Sequence, residues 1–322
     1  RTPPRHPAAR LFSAWTPSHH RFEQIAFPIE LSRLKINLLH SPDFIPPFSG
    51  HFRRVITVHD LNFLYYPQFL TTASRRYYND QIEHAVAIAD HILADSDAAK
   101  RDLIKLLAVP AEKITVVWLA PDSIYHVLTA PELSIARSAL KLPDRFILFT
   151  GTLEPRKNIA GLLQAYRSYL DRTHDSVDLI LAGTHGWLFA ETRALIDQLR
   201  LQDRVRLIEA PADSDLVALY NCAAVYVQPS FYEGFGLTIL EAMACGVPCI
   251  ISSRGSLPEI SGDAALTIDP EDVSQLTDAL ERVLTDAQLQ SYLRQKGLTR
   301  VKDFSWERCV RETRAVYEKV LK

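Results

Sequence analysis

Ser230-Phe-Tyr-Glu-Gly-Phe-Gly-Leu-Thr-Ile-Leu-Glu-Ala242 is the stretch from which the rest of the chain can be read. Ahead of it, Ala224-Val-Tyr-Val-Gln-Pro229 is apolar, β-branched and closed by a proline, the composition of a buried strand. Behind it, residues 237–244 carry helix-forming side chains and stop at Gly246-Val-Pro248. Glu233, Gly234, Phe235 and Gly236 therefore fall on a loop between a strand's C-terminal end and the N-terminus of a helix opening at Leu237. Open α/β sheets hold ligands at such loops. The glycines permit close backbone approach, and free helix-start amides favour an anion such as phosphate. Glu233 and Glu241 stand about two helical turns apart, so if both lie on or near the helix they can face one ligand. Taken singly, each of these residues reads as a turn glycine, a surface glutamate or a helix glutamate.

A chain of 322 residues suggests about two domains of roughly 150 residues each. A net charge of −2 on an ordinary globular composition gives no reason to expect nucleic acid as a partner. Cys222, Cys245, Cys249 and Cys309 form no CxxC pair and lie in apolar or helical surroundings, so buried thiols in a reducing compartment are expected. No signal peptide or membrane-spanning apolar run is visible. The only methionine is Met243 and residue 1 is Arg, so the sequence is expected to lack its natural start.

Residues 1–28 are rich in Pro, Arg and His and read as loop with one helix over 8–15; His19-His20 read as surface histidines. A helix over 25–34 is expected to break at Pro28. Strands follow at 35–39, 54–58, 91–94 and 114–118, with helices over 73–89 and 97–107. The first strand runs into His40-Ser-Pro-Asp-Phe44, and the second delivers His59-Asp60 at its C-terminal end. Read from the residues alone, His59 is a strand-end histidine capping nearby backbone groups. Arg75, Arg76, Tyr77 and Tyr78 read as a solvated helix face, although such a cluster can bind a polyanion. Ser96 caps the helix that follows it.

From Arg145 strand and helix alternate regularly. Strands are expected at 146–150, 179–182, 205–208, 224–227 and 249–251, and helices at 159–172, 188–199, 213–222, 273–284 and 287–302, with a last one reaching 321. This alternation argues a Rossmann-like, doubly wound parallel sheet. No G-x-G-x-x-G follows its first strand, which counts against a dinucleotide site and a nicotinamide dehydrogenase. That strand instead enters Gly151-Thr-Leu-Glu-Pro-Arg-Lys-Asn158. Gly151 permits a sharp turn and Asn158 is a good helix cap. Arg156 and Lys157 put two cations at the binding edge, where Arg grips phosphate bidentately and Lys adds a point charge. A solvated basic loop fits the spacing equally well. Asp213 is expected to cap the helix it precedes.

The string from Pro229 through Glu233 and Glu241 to Pro248 resembles the E-x7-E motif of the retaining glycosyltransferases of family 4, the glycosyl transferases group 1 proteins. Val55-Ile-Thr-Val-His-Asp-Leu61 resembles the family's amino-domain strand with its histidine. Gly151 to Asn158 resembles its G-x-x-x-x-x-K-[GN] diphosphate clamp, and Gly255, Pro258 and Glu259 its Gly-x-x-Pro-Glu loop, which a structural turn also explains. The loop 183–187 carries Gly-Trp where relatives often have Gly-Lys or Gly-Pro-Glu. The resemblance covers nearly the whole chain. The family's opening strand and glycine-rich loop are not seen, since the first two glycines are Gly50 and Gly151.

The resemblance implies two Rossmann-like domains facing across a cleft, the GT-B fold. Residues 1–128 would form the acceptor side, 129–302 the nucleotide-sugar domain, and 303–322 a helix crossing back to the first. It implies a hexosyltransferase that retains anomeric configuration and works without a metal or cofactor. His59, Glu233, Arg156 and Lys157 would be catalytic. The donor would lie against Gly151, Arg156, Lys157, Glu233, Gly234, Phe235, Gly236, Leu237 and Glu241, with Glu233 on sugar hydroxyls and Glu241 on the ribose. The Val-His-Asp and Pro-Ser-Phe-Tyr-Glu-Gly-Phe-Gly strings look like those of bacterial mannosyltransferases and favour GDP-mannose, with UDP-sugars close behind. A cytoplasmic enzyme of polysaccharide biosynthesis follows, taking a glycan or lipid-linked acceptor at the inner membrane face and allowing peripheral membrane association. The rival readings are a catalytically impaired nucleotide- or glycan-binding protein and a sugar phosphorylase or epimerase on the same fold.

Overall fold

The computed structural model of the chain describes residues 10–16, 22–69, 72–184, 186 and 189–322. His19-His20, His185, Trp187 and the side chains of Arg75, Arg76 and Tyr77 lie outside that description. The first half runs α1 (Glu23–Leu31), β1 (Leu38–Ser41), β2 (Arg53–Val58), α2 (Asn62–Tyr65), α3 (Thr72–Ile88), β3 (His91–Ala94), α4 (Asp97–Leu107) and β4 (Ile114–Val116). The described strands form one parallel sheet in the order β1-β2-β3-β4, with Val55 paired to His91 and Ile92 to Ile114.

After a linker come α5 (Ala130–Ala139), β5 (Phe146–Thr150), α6 (Ile159–Thr173), β6 (Asp178–Gly183), α7 (Phe189–Gln198), β7 (Val205–Glu209), α8 (Asp213–Cys222), β8 (Val225–Gln228) and α9 (Leu237–Ala244). Then follow β9 (Cys249–Ser252), α10 (Leu257–Ser261), β10 (Ala265–Ile268), α11 (Val273–Thr285), α12 (Ala287–Arg300) and α13 (Trp306–Val320). The second sheet is parallel in the order β10-β9-β8-β5-β6-β7. Its central strands β5, β8 and β9 are buried along their whole length, as continuous apolar runs in a sheet covered on both faces must be. One core, with Ile147, Leu162, Tyr166 and Leu280, covers one face; another, with Phe146, Leu148, Tyr220 and Met243, covers the opposite face.

The last helix does not pack on the sheet that precedes it. Ser305 caps α13 by accepting from Arg308 N at 3.1 Å, and Cys309 and Val316 pack with Val55, Leu93 and Val117 of the first half. His40 Nδ1 lies 2.6 Å from the Tyr317 hydroxyl and its Nε2 lies 2.8 Å from Thr57 Oγ1, so both nitrogens bond to protein groups.

Several local expectations are corrected. Residues 10–16 hold no helix. α1 continues through Pro28, which removes one ladder bond. The helix survives because Ser32 N still donates to Pro28 O and Gln24 is tied to the loop at Pro46 and Phe48. The first strand begins at Leu38, later than expected, because Lys35 adopts a positive φ of 30° in the turn ahead of it. Asp213 is the first helical residue of α8 rather than its cap, and Asp215 accepts from Ala212 N at 3.2 Å. Tyr78 packs against Phe44 and Phe63 instead of standing on a solvated face. Strand β10 and helices α2 and α10 are additions to the expected elements.

Candidate active site

The strand order of the second sheet reverses between β5 and β8, which leaves a crevice beyond their C-terminal ends. Two loops meet there. Residues 151–158 leave β5, residues 229–236 leave β8, and Phe231 N donates to Arg156 O at 2.9 Å to tie them together. Ser256 braces the second loop, donating from its N and Oγ to Glu233 O and from Oγ to Phe235 O.

Between these loops sits a buried ion network. Lys157 Nζ donates to Glu233 Oε1 at 2.7 Å, and Arg156 Nη1 donates to Glu233 Oε2 at 3.1 Å and to Tyr232 O at 2.8 Å. Arg156 Nη2 also donates to Glu154 Oε1 at 2.8 Å. The Lys157 and Glu233 side chains are only 13% and 9% exposed. Burial alone would push the Glu233 carboxyl up, but the Lys157 and Arg156 charges outweigh it and hold it down at about 2. Gln228 Nε2 adds a bond of 3.0 Å to Glu233 Oε1, and Thr238 Oγ1 fixes that amide from α9 at 2.9 Å.

Gly236 stands at the N-cap of α9 with φ +97°, a conformation in which a side chain would be strained. The helix lacks a side-chain cap there; Ile239 N turns back to Gly236 O at 3.1 Å, and the amides of Leu237 and Thr238 are the ones an anion at this helix start would meet. Leu237 opens the helix. Phe235 differs from its neighbours: its side chain is buried with Ala120, Leu240, Ile260 and Phe304 between the domains, and its carbonyl accepts from Ser256 Oγ at 2.8 Å.

His59 comes from the opposite sheet. Its Nδ1 lies 2.6 Å from Asp95 Oδ2, while 56% of its side chain is exposed to the cleft. The hydrogen bond to Asp95, against a smaller effect of burial, raises its pKa. The two domains touch here. A Cβ placed on Gly234 would stand 2.1 Å from His59 O and 2.6 Å from Asp60 Cβ, so only glycine lets the loop come this close.

Beside the ion network opens a cavity of about 470 Å³, lined by Tyr125, Thr150, Gly151, Thr184, Pro211, Tyr220, Thr238 and Glu241 among others. Glu241 accepts from Tyr220 OH at 3.0 Å, and burial raises its pKa. The carboxylate pair of the sequence motif is thus split. Glu233 sits in the loop among cations, and Glu241 sits on α9, one turn beyond Thr238, in a cavity whose described lining holds no cation and that is shared with Tyr125, Tyr220 and Asp213. Thr238 and Gln228 join the two.

Gln228, Asp95, Ser96, Tyr220 and Tyr125 were not singled out from the sequence as site residues. Gln228 carried the one usable signal, an amide ending an otherwise apolar strand. Two Asp-x-Asp strings, at 95–97 and 213–215, both sit at helix starts. Asp95 holds His59 and Asp215 accepts from Ala212 N. Among the described residues no three His, Cys, Asp or Glu side chains gather in a metal-binding group.

Residues 132–300 match the sequence profile "Glycosyl transferases group 1", and residues 1–123 match "Glycosyltransferase Family 4". The chain is 36% identical over 282 residues to O-antigen chain mannosyltransferase B of Escherichia coli, covering 87% of this chain and 74% of that one. It is 32% identical over 227 residues to the serotype-specific mannosyltransferase WbdA of Escherichia coli, covering 68% of this chain and 27% of that one. Among solved structures it resembles sucrose-phosphate synthase from Thermosynechococcus elongatus, with a TM-score of 0.75, 24% identity and coverage of 95% and 80%. It also resembles Anabaena Alr3699/HepE in complex with UDP and glucose, with a TM-score of 0.76, 20% identity and coverage of 94% and 83%.

Proposed function

This chain belongs to the glycosyl transferases group 1 family and is a glycosyltransferase with the GT-B fold, and we propose that it transfers mannose from a nucleoside-diphosphate sugar to a glycan hydroxyl with retention of configuration. The observation that carries this reading is the placing of Glu233 between Lys157 and Arg156, on a loop that leads into the uncapped start of α9 and meets His59 of the opposite domain at Gly234. A diphosphate entering there meets Lys157, Arg156, the amides at Gly234 to Leu237 and the turn at Gly151. It draws the two cations from Glu233, whose carboxylate then accepts from sugar hydroxyls. Glu241 and the cavity around it take the ribose and base.

In the reaction the bond from sugar C1 to the diphosphate oxygen breaks, and its electron pair leaves with the diphosphate. The acceptor oxygen bonds to C1 on the same face, and its proton passes to the departing phosphate. The cations and helix amides stabilise the charge that develops on the leaving group, and His59 contacts the sugar. These groups supply the positive charge the step requires, so the reaction is proposed to need no metal, and chelation should leave turnover unchanged.

The mannosyltransferase names of the relatives support mannose, with GDP preferred as the carrier and UDP second. The O-antigen relative supports a polysaccharide or lipid-linked acceptor. No described helix is long and apolar enough to cross a membrane; work at the cytoplasmic face of one is part of the proposal.

Calorimetric titration with GDP, UDP and ADP tests the donor. One nucleotide should bind selectively, and Arg156→Ala should weaken it about ten- to a hundredfold, the loss of one charge-assisted phosphate contact. No binding by any of the three would sink the reading. Turnover that needs free phosphate, or epimer formation without an acceptor, would replace it with a phosphorylase or an epimerase.

A further inference from the structure

Glu259, in α10 of the second domain, closes its carboxylate over the first turn of α4 in the first. Oε1 accepts from Asp97 N at 2.9 Å and from Trp118 Nε1 at 3.0 Å, and Oε2 accepts from Ala98 N at 3.1 Å. The first amides of a helix have no partner within it, and a carboxylate there also meets the positive end of the helix dipole. Ser96, the cap within the first domain, satisfies only Ala99 N, at 3.0 Å. The amides of Asp97 and Ala98 are satisfied from across the cleft.

The turn held in this way is the one that sets the site. Asp95 carries His59, and Ser96 Oγ donates to Gly234 O at 2.6 Å. Glu259 is itself fixed, because Arg300 donates from Nη2 to Glu259 O at 2.8 Å and from Nε to Ile260 O at 2.9 Å. Further along α4, Asp102 accepts from Tyr65 OH at 2.7 Å and from the hydroxyl of Tyr232, the neighbour of Glu233.

We infer that Glu259 is a positioning residue for sugar transfer, an interdomain cap on α4 that sets His59 against the Glu233 loop when the cleft is closed. The inference rests on the proposed reading of that cleft as the site of transfer. Glu259→Gln replaces one acceptor oxygen by an amide donor, and Trp118→Phe removes one of the three bonds.

The full chain of each variant is compared with wild type for nucleotide Kd by calorimetry, for turnover, and for radius of gyration by small-angle scattering. Glu259→Gln should leave nucleotide affinity unchanged, because the nucleoside cavity is built almost entirely from the second domain. It should lower turnover about ten- to a hundredfold and enlarge the radius of gyration; Trp118→Phe should move both in the same direction by less. A Glu259→Gln variant that melts earlier but keeps its turnover and radius would reduce the contact to domain glue and overturn the inference. So would a fall in nucleotide affinity equal to the fall in turnover. Should wild type bind no nucleotide, the proposed function fails, and the scattering comparison still decides whether Glu259 holds the cleft.

Discussion

Lys157 Nζ lies 2.7 Å from Glu233 Oε1, so the proposed phosphate cation and the proposed sugar-binding carboxylate neutralise each other. Each is buried, and neither would be tolerated there alone. On the proposed function, a diphosphate donor would not add to a lone positive site but would exchange one anion for another and free Glu233 as it binds.

Glu233→Gln separates these roles. The isosteric amide leaves Arg156 and Lys157 with one fewer anion, so the apo protein loses stability while a nucleoside diphosphate can still restore the balance. The rise in Tm on adding the nucleotide should exceed that of wild type, and turnover should collapse. A smaller rise than wild type would show that Glu233 helps to bind the diphosphate rather than competing for its cations.

The same carboxyl sets an acid limit on stability. Its folded pKa of about 2 lies below its ordinary value of 4.5, so its contribution is fully present above about pH 4.5 and is lost as pH falls towards 2. The linked loss is about 3 kcal/mol, to be read from urea melts across that interval. Glu233→Gln should flatten that part of the profile.

His59 shifts the other way. Its hydrogen bond to Asp95 raises its pKa above 6.5, so the stabilisation from this pair is complete below pH 6.5 and fades as pH rises through the folded value. Asp95→Asn should lower the His59 pKa, followed by NMR of the imidazole protons, and should reduce turnover. An unchanged titration would mean that another group controls the ring.

Gly234→Ala tests the closeness of the domains. The added methyl would meet His59 O, a backbone atom that cannot rotate away. The cleft must then open, so turnover should fall steeply while nucleotide affinity, proposed to be carried by the second domain, persists. Unchanged turnover would show that the reaction does not need the contact between this loop and the His59 strand.

Much of this arrangement was legible in the chain because its strands are uninterrupted apolar runs. Helix α9 and strands β3 and β5 occupy the expected residues. Strand β10 escaped because Ala265-Leu-Thr-Ile268 is a half-exposed edge without a clear period. The Glu259 cap escaped for a different reason: its partners lie 162 and 161 residues away in another domain, and no local pattern encodes a bond across a cleft. Sequence spacing put Glu233 on the loop and Glu241 about two turns away along the following helix, but not the cations around one or the cavity around the other.

The bond from His40 to Tyr317 spans 277 residues. During synthesis at roughly 5–20 residues per second, the apolar surface around Val55 and Leu93 has to wait for α13 before Cys309 and Val316 can cover it. The second domain contains its own cores and can collapse in the meantime. The domain made first is therefore finished last, and until α13 arrives the apolar face around Val55 and Leu93 stays uncovered.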